Sequence, residues 1–134
     1  NRLKKIPHYY VVVGIIFKDD QFIISKRLKG KLLGNLWELP GGKIKENETQ
    51  TECLHREIKE ELDIKIYNVK KIGFINHQYS HMKLTITLFT CEYKTGLAKA
   101  LSSQEIKWIK YNQKKDFAFP RATHKLFELI ENNK

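Results

Sequence analysis

The chain has few of the residues that build disulfide or zinc-binding scaffolds, and it has no long apolar run. Its only cysteines, Cys53 and Cys91, have neither metal-site nor disulfide spacing. No apolar stretch approaches the roughly 20 residues of a membrane span. The residues from Asn1 onward do not show the basic, apolar and small-residue succession of a secretory leader. We therefore expect a protein of the reducing cytoplasm that has no membrane partner.

Internal repeats, low-complexity tracts and linkers are also missing from the sequence. Hydrophobic residues make up 41% of the chain and charged residues 30%, which is typical of a globular protein and excludes a disordered one. A chain of 134 residues has the length of one domain. We expect a single domain over residues 1–134 and take a monomer as its simplest assembly.

Positive charge is in clear excess. The 25 lysines and arginines against 15 acidic residues give a net charge of +10. Such a charge attracts polyanions, either nucleic acid or the phosphates of a nucleotide. The lysines are scattered, and for most of them a role in solubility is the simpler explanation. Charge alone leaves both partners open.

Hydrophobic patterning predicts a mixed sheet flanked by helices, an α/β fold. A helix should begin near Thr49 or Thr51, since threonine can cap it, and a second amphipathic helix should cover residues 122–132. Residues 28–36, which contain two glycines and two lysines, predict a loop at the rim of a pocket. Alternating or β-branched segments predict strands at 9–17, 22–27, 37–40, 64–67, 69–77, 84–93 and 106–109.

The first predicted helix carries three acidic residues on one face. Glu57, Glu60 and Glu61 have i, i+3, i+4 spacing, so their like charges repel across roughly 5–6 Å. The glycine turn at Gly41 and Gly42 lets backbone come close to these carboxylates. Hard oxygen donors beside exposed backbone suit Mg²⁺ or Mn²⁺, which would relieve the repulsion. The alternative is an ordinary solvated acidic face.

The same segment resembles the Nudix box, G-x5-E-x7-R-E-U-x-E-E-x-G-U with U apolar. The match comprises Gly42, Glu48 and the run Arg56-Glu57-Ile58-Lys59-Glu60-Glu61-Leu62-Asp63-Ile64. Asp63 replaces the final glycine. That position usually needs a left-handed residue, which Asp tolerates better than most, so we expect a small stability cost and little effect on chemistry. The resemblance implies an α/β/α sandwich that hydrolyses a nucleoside diphosphate linked to another group.

The resemblance also implies roles for individual residues. Glu57, Glu60 and Glu61 would hold the metal ion, with the Gly41 carbonyl as a backbone ligand. Arg56 would orient a glutamate through paired hydrogen bonds, and Glu48 is the partner that we expect. Similar proteins also place a metal-linked or water-activating glutamate just before a tryptophan-containing strand. Glu105 could fill that role or be a solvated loop residue.

Two resemblances address the substrate. Leu36-Trp37-Glu38-Leu39-Pro40-Gly41-Gly42 and Phe119-Pro120-Arg121-Ala122 resemble the MutT branch, which converts 8-oxo-dGTP to the monophosphate and pyrophosphate. There an arginine at the position of Arg27 and an asparagine after the Phe-Pro motif contact the nucleotide. This chain has Arg27 but Thr123, whose single hydroxyl cannot copy the two-sided amide. Trp37 and Glu38 could also contact the nucleotide, although Trp37 is first of all a core or pocket-wall aromatic.

The second resemblance is carried by His77-Gln78-Tyr79-Ser80-His81 and the strand that follows at 84–89, and by Phe117-Ala118-Phe119-Pro120 with His124. These segments resemble the 8-oxoguanine-reading C-terminal domain of MutY-type adenine glycosylases. The resemblance implies that Tyr79, Ser80, His81 and Phe119 contact an oxidised base, whereas the alternative for residues 79–81 is an ordinary polar hairpin loop. Three functions therefore remain open: an 8-oxo-dGTP-sanitising hydrolase, a Nudix hydrolase for another nucleotide, and a non-catalytic reader of DNA. The intact glutamates favour an enzyme, because a reader would not need them.

Overall fold

The computed structural model describes residues 5–133 and shows a mixed sheet between two helices. The predicted α/β class is confirmed. Among the described residues, neither helix has the length and apolar character that crossing a membrane requires. In chain order the elements are β1 His8–Lys18, β2 Gln21–Lys26, β3 Trp37–Glu38, β4 Gly41–Lys43, α1 Gln50–Leu62, β5 Lys65–Tyr79, β6 Met82–Thr95, β7 Glu105–Lys110, a 3₁₀ helix Tyr111–Asp116, and α2 Arg121–Asn132.

The central strand β1 diverges from its hairpin partner β2, and the short strands β3 and β4 pair along the two edges that this leaves open. The two strands pair only near their connecting turn, at Phe17 with Phe22 and at Lys18 with Gln21. Farther from the turn, β3 pairs with β2 and β4 pairs with β1. Between these short strands, the Pro40 carbonyl accepts a hydrogen bond from the Gly14 N–H at 2.9 Å. The glycine turn is thereby held beside the middle of β1.

The remaining pairings complete the mixed sheet. β6 runs parallel to β1 on the edge of β1 that faces away from β4. β5 pairs antiparallel with β6, and β7 pairs antiparallel with β2. Because parallel strands need a long crossover, the segment between β1 and β6 has room for α1.

Side chains on the two faces of β1 belong to two separate hydrophobic clusters. Val12 and Ile16 pack with α1, whereas Val13 and Ile15 pack with α2, as the two-residue period of a strand requires. Each large apolar side chain that is fully buried contributes roughly 1.5–3 kcal/mol. The apolar stripe of α1 is fully or almost fully buried: Leu54, Ile58 and Leu62. The result is an α/β/α sandwich.

Both ends of α1 are fixed by local hydrogen bonds. Thr49 caps the first turn, with its side chain accepting from the Glu52 N–H at 3.1 Å while the Glu52 carboxylate accepts from the Thr49 N–H at 2.9 Å. Asp63 ends the helix at φ 59° and ψ 38°, in the left-handed region predicted for it. Its side chain accepts a 2.6 Å hydrogen bond from the Lys59 ammonium.

Several strand boundaries differ from the prediction. The two strands predicted at 64–67 and 69–77 form the single strand β5, interrupted by irregular register where Asn68 adopts φ 55°. The predicted strand at 37–40 is only the two-residue β3, and β4 was not predicted. The pairing of β4 depends on β1, about 30 residues earlier, which local patterning does not encode.

Candidate active site

Two glycines allow the acidic helix to lie against the sheet. Gly41 has φ +154°, and a Cβ atom there would overlap the Val12 carbonyl oxygen of β1. A Cβ atom at Gly42 would overlap the Glu57 carboxylate. A larger residue at Gly41 would push β4 away from β1, and a larger residue at Gly42 would displace the Glu57 carboxylate. The close approach predicted from the sequence is therefore present.

Arg56 joins the acidic residues into one cluster. Its Nε and Nη2 donate to the two carboxylate oxygens of Glu48 at 2.6 and 3.0 Å, the paired geometry that the resemblance implied. Its Nη1 donates to Glu57 and to Glu60, each at 3.1 Å. Its Nη2 also reaches the Lys43 carbonyl at 3.2 Å, which ties α1 to β4.

Glu48 is held as a carboxylate. Hydrogen bonds from the Arg56 guanidinium and from the Lys45 N–H lower its pKa to about 2. At neutral pH its negative charge is therefore fully balanced by groups of the protein itself. Its position in the loop before α1 lets it anchor Arg56 from the side opposite Glu57 and Glu60.

The pKa of Glu61 is shifted in the opposite direction, so that its neutral form is favoured. Burial and the neighbouring negative charge of Glu57 raise its pKa to about 8, with a smaller contribution from Glu38, against the lowering effect of a hydrogen bond from the Gly41 N–H. That N–H lies 3.2 Å from Glu61 Oε1. The repulsion between carboxylates that the spacing predicted is thus seen as a raised pKa of Glu61 beside Glu57.

The donor chemistry of this cluster fits a hard divalent cation. Three carboxylates and the backbone at Gly41 supply the oxygen ligands that Mg²⁺ and Mn²⁺ prefer. Glu57 and Glu60 turn toward the same nitrogen of Arg56. Within residues 5–133, no three Asp, Glu, His or Cys side chains are already arranged around one point as a metal cage.

A cavity of about 410 Å³ opens beside this cluster. At one end it is bounded by Gly41, Gly42 and Glu61, and its apolar wall comes from β1, β6 and α2. The apolar residues that line it include Val11, Val13, Leu84, Ile86 and Leu126. Such a cavity, mostly apolar with a few polar groups, is suited to a planar heterocycle.

The cavity is also lined by polar or aromatic groups from four segments that are separated in sequence: Arg27, Glu38, Tyr79 and Thr123. Arg27 donates to Glu38 at 3.0 Å and to the Leu32 carbonyl at 2.8 Å. Burial raises the pKa of Glu38, while the Arg27 charge opposes that shift. Thr123 is 6% exposed.

The other residues predicted to contact substrate lie elsewhere. Ser80 and His81 form the exposed two-residue turn between β5 and β6, and they do not line the cavity. Trp37 packs edge-to-face on Phe117 with ring centroids 5.3 Å apart, and Phe119 packs similarly on Phe127 at 5.2 Å. Both are buried in the cluster under α2 and do not line the cavity either.

Glu105 opens β7 on the surface. It is exposed, pairs with Lys26 of β2, and does not line the cavity. The sequence did not single out Ser102 and Ser103, which border a small recess together with Glu38 and Glu61. No motif marks them, because only the folding of the loop back toward α1 brings them there.

Comparison with known proteins places this geometry in a family. A family model for the NUDIX domain matches residues 11–129. The chain belongs to the Nudix family. The 8-oxo-dGTP diphosphatase of Buchnera aphidicola subsp. Schizaphis graminum is 39% identical over 110 residues, covering 82% of this chain and 83% of that protein.

Two further relatives extend the comparison. The CTP pyrophosphohydrolase of Escherichia coli is 39% identical over 54 residues, 40% of each chain. The crystal structure of a MutT protein from Methanosarcina mazei has a TM-score of 0.86 at 23% identity, covering 98% of this chain and 99% of that one, so it has the same fold. This protein is a Nudix pyrophosphohydrolase.

Proposed function

We propose that this Nudix hydrolase cleaves 8-oxo-dGTP and related oxidised purine nucleoside triphosphates to the monophosphate and pyrophosphate. One observation supports the proposal most: the acidic cluster and the mostly apolar cavity adjoin, with Gly41, Gly42 and Glu61 on the border. A nucleotide bound there would place its base against Leu126 and its phosphates beside the carboxylates. The reaction would serve the nucleotide pool of the cytoplasm.

The phosphate end needs positive charge. We assign Glu57, Glu60, Glu61 and the Gly41 carbonyl as ligands of Mg²⁺, with Mn²⁺ as a substitute. When bound, such an ion neutralises phosphate oxygens and lowers the pKa of a coordinated water. Arg56 positions Glu57 and Glu60 through its Nη1 contacts, and Glu48 fixes Arg56 in turn.

We assign recognition of the base to Arg27, Glu38, Tyr79 and Thr123, which line the cavity. The Arg27–Glu38 pair offers a donor and an acceptor side by side, and the buried hydroxyl of Thr123 offers one further hydrogen bond. Glu105 has no part in this proposal because it is exposed and does not line the cavity.

Comparing 8-oxo-dGTP with dGTP at saturating Mg²⁺ tests the proposal directly. We expect a kcat/KM for the oxidised nucleotide at least roughly tenfold higher, since a site that hydrogen-bonds a substrate group rejects the analogue lacking it. The released products should be the monophosphate and pyrophosphate. Equal kcat/KM values for the two nucleotides would remove the sanitising function and leave an unselective hydrolase.

Replacing Thr123 sharpens the same test. Thr123→Asn introduces a two-sided amide at the buried end of the cavity and should increase the preference for 8-oxo-dGTP over dGTP. Thr123→Val removes only the hydroxyl and serves as the matched control, which should reduce the preference. If both variants retain the original ratio of kcat/KM values, Thr123 does not contact the base.

A second candidate is hydrolysis of a different nucleoside triphosphate by the same carboxylates. It is supported by Thr123 and by the similarity of part of the chain to a CTP pyrophosphohydrolase. Measuring kcat/KM for CTP and dCTP beside 8-oxo-dGTP separates the two candidates. For the non-catalytic reader, much tighter binding of a duplex carrying 8-oxoguanine than of an unmodified duplex, at fixed salt, would be the supporting result.

A further inference from the structure

The sheet face on the α1 side is only partly covered by that helix. On this face, residues that pair across β1, β6 and β5 form three rows. The rows are His8, Lys83 and Gln78; Tyr10, Thr85 and Asn76; and Val12, Thr87 and Phe74. α1 begins over the third row, where Gln50 donates to Thr87 at 3.3 Å. The first two rows and Phe74 form a surface that we call the open sheet face.

Aromatic side chains project from the open sheet face. Tyr10 is 55% exposed and Phe74 is 56% exposed. The His8 ring stacks on the Tyr10 ring with centroids 4.6 Å apart and planes 13° apart. One face of the Tyr10 ring is therefore in contact with His8, and the opposite face can stack against another flat ring. Large aromatic rings exposed together on one face are typical of a binding surface.

Between the aromatic side chains the surface is polar and ordered. The Thr85 hydroxyl donates to the Asn76 carbonyl oxygen at 2.7 Å and lies 2.7 Å from His8 Nε2. This chain of hydrogen bonds crosses all three strands. A purely apolar partner, such as a lipid tail or the stripe of another helix, would have to cover these polar groups without replacing their water contacts.

The charge at this end of the molecule is positive. Two shallow grooves, of about 580 and 430 Å³, both include His8. Among the described residues that line them are three lysines and one glutamate: Lys43, Lys45, Lys83 and Glu46. The whole chain carries a net charge of +10. The partner that complements this surface is a polyanion with flat rings.

We propose that the open sheet face binds single-stranded nucleic acid, with bases stacked on Tyr10 and Phe74 and phosphates near Lys45 and Lys83. Stacking on a side chain requires an unpaired base, so the surface selects single strands over duplexes. The sheet is two-sided at this point. Leu84 and Ile86 alternate with Thr85 along β6 and line the catalytic cavity on the opposite face. The open sheet face and the catalytic cavity thus lie on opposite faces of the sheet, and Lys43 and Leu84 line both the cavity and one of the two grooves.

Fluorescence anisotropy with labelled single strands of about 12 nucleotides tests the proposal at fixed salt near 0.15 M. Tyr10→Ala and Phe74→Ala should each weaken binding by roughly 5- to 100-fold. Tyr10→Phe retains the ring and should restore the affinity. Lys83→Gln should reduce the slope of log affinity against log salt by roughly 1. DNA and RNA strands in parallel show whether the 2′-hydroxyl contributes.

Tyr67→Ala is the matched control, because Tyr67 is 48% exposed on the same strand as Phe74 but lies outside the open sheet face. It should leave the affinity unchanged. Nucleotide hydrolysis should be unaffected by Tyr10→Ala and Phe74→Ala.

Three outcomes would overturn the proposal. One is a duplex that binds as tightly as the single strand, and another is an affinity that does not depend on Tyr10 and Phe74. The third is a change in oligomeric mass on Phe74→Ala with oligonucleotide binding unaltered, which would assign the face to a second copy of the chain.

Discussion

Glu48 and Glu61 belong to the same Nudix box, yet their surroundings shift their pKa values in opposite directions. Glu48 accepts two hydrogen bonds from Arg56, and its pKa falls to about 2. Glu61 is buried beside Glu57 and Glu38, and its pKa rises to about 8. The fold supplies the positive partner of Glu48, whereas Glu61 is shifted mainly by burial and by negative neighbours.

This difference separates two roles within one motif. A carboxylate that is satisfied by the protein contributes to holding α1, β4 and the preceding loop together. A carboxylate that is destabilised by burial stores an unfavourable interaction that a bound cation would relieve. We expect substitutions at the two positions to separate stability from catalysis.

The largest expected effect is on turnover. Glu61→Gln should lower kcat/KM by roughly 10²–10⁴-fold, because it removes a charge from the site where the reacting phosphate lies. Glu48→Gln should cost only roughly 10–100-fold, since Glu48 acts through Arg56. Steady-state kinetics at saturating Mg²⁺ provide the measurement. A greater loss for Glu48→Gln than for Glu61→Gln would reverse the assigned roles.

The next effect concerns stability without divalent metal. In chelator at pH 8, Glu61→Gln should raise the free energy of unfolding by about 1–3 kcal/mol, because it removes a buried, repelled charge. The folded-state pKa of Glu61 is raised from 4.5 to about 8, so as pH rises through that window Glu61 ionises in the unfolded chain but stays protonated in the folded protein, and stability falls. Urea titrations between these pH values should show the advantage of the variant growing with pH. An advantage that is constant with pH would contradict the shifted pKa.

A smaller effect, opposite in sign, is expected at Glu48. Glu48→Gln should lower the melting temperature by a few degrees at neutral pH, because Arg56 loses its charged partner. The folded-state pKa of Glu48 is lowered from 4.5 to about 2, so its contribution to stability is present above 4.5 and is lost as pH falls toward 2. Calorimetry across this range should show the melting temperatures of the two proteins converging. Glu46→Gln, an exposed neighbour, is the control.

The smallest effect is expected where the chain departs from the box. Asp63→Gly should raise the urea midpoint slightly, because glycine adopts φ 59° without strain, while the ion pairs that Asp63 makes with Lys59 and Lys99 are exposed and weak. The gain should increase at high salt, which screens those ion pairs. A clear loss of stability at high salt would show that the aspartate is better than glycine for this helix end.

The open sheet face extends the comparison to a second surface. Arg56 is the positive partner of Glu48 at the catalytic site, whereas lysines and aromatic rings line the grooves that include His8. If both proposals hold, the backbone of a single-stranded nucleic acid and a metal-bound nucleoside triphosphate would bind to different faces of one sheet.

The sequence by itself determined the features that depend on near neighbours. The i, i+3, i+4 spacing of Glu57, Glu60 and Glu61 set one face of α1, and Thr49 and Asp63 set its ends. Helix geometry and capping act within one or two turns, so the chain carries this information locally. The Nudix fold followed from the same segment, since the box matches at spaced positions that chance does not fill.

Tertiary structure decided everything that depends on distant strands. Arg27, Glu38, Tyr79 and Thr123 line one cavity because β1 and β2 diverge and the chain after β2 returns as β3 and β4 to fill the gap. The same packing put Trp37 and Phe119 into the core under α2, where an aromatic side chain gains most from burial. Strand pairing joins residues that are far apart in sequence. The register of that pairing decides which face of the sheet a side chain occupies, and the packing of the helices decides whether that face is buried. No local sequence pattern specifies either.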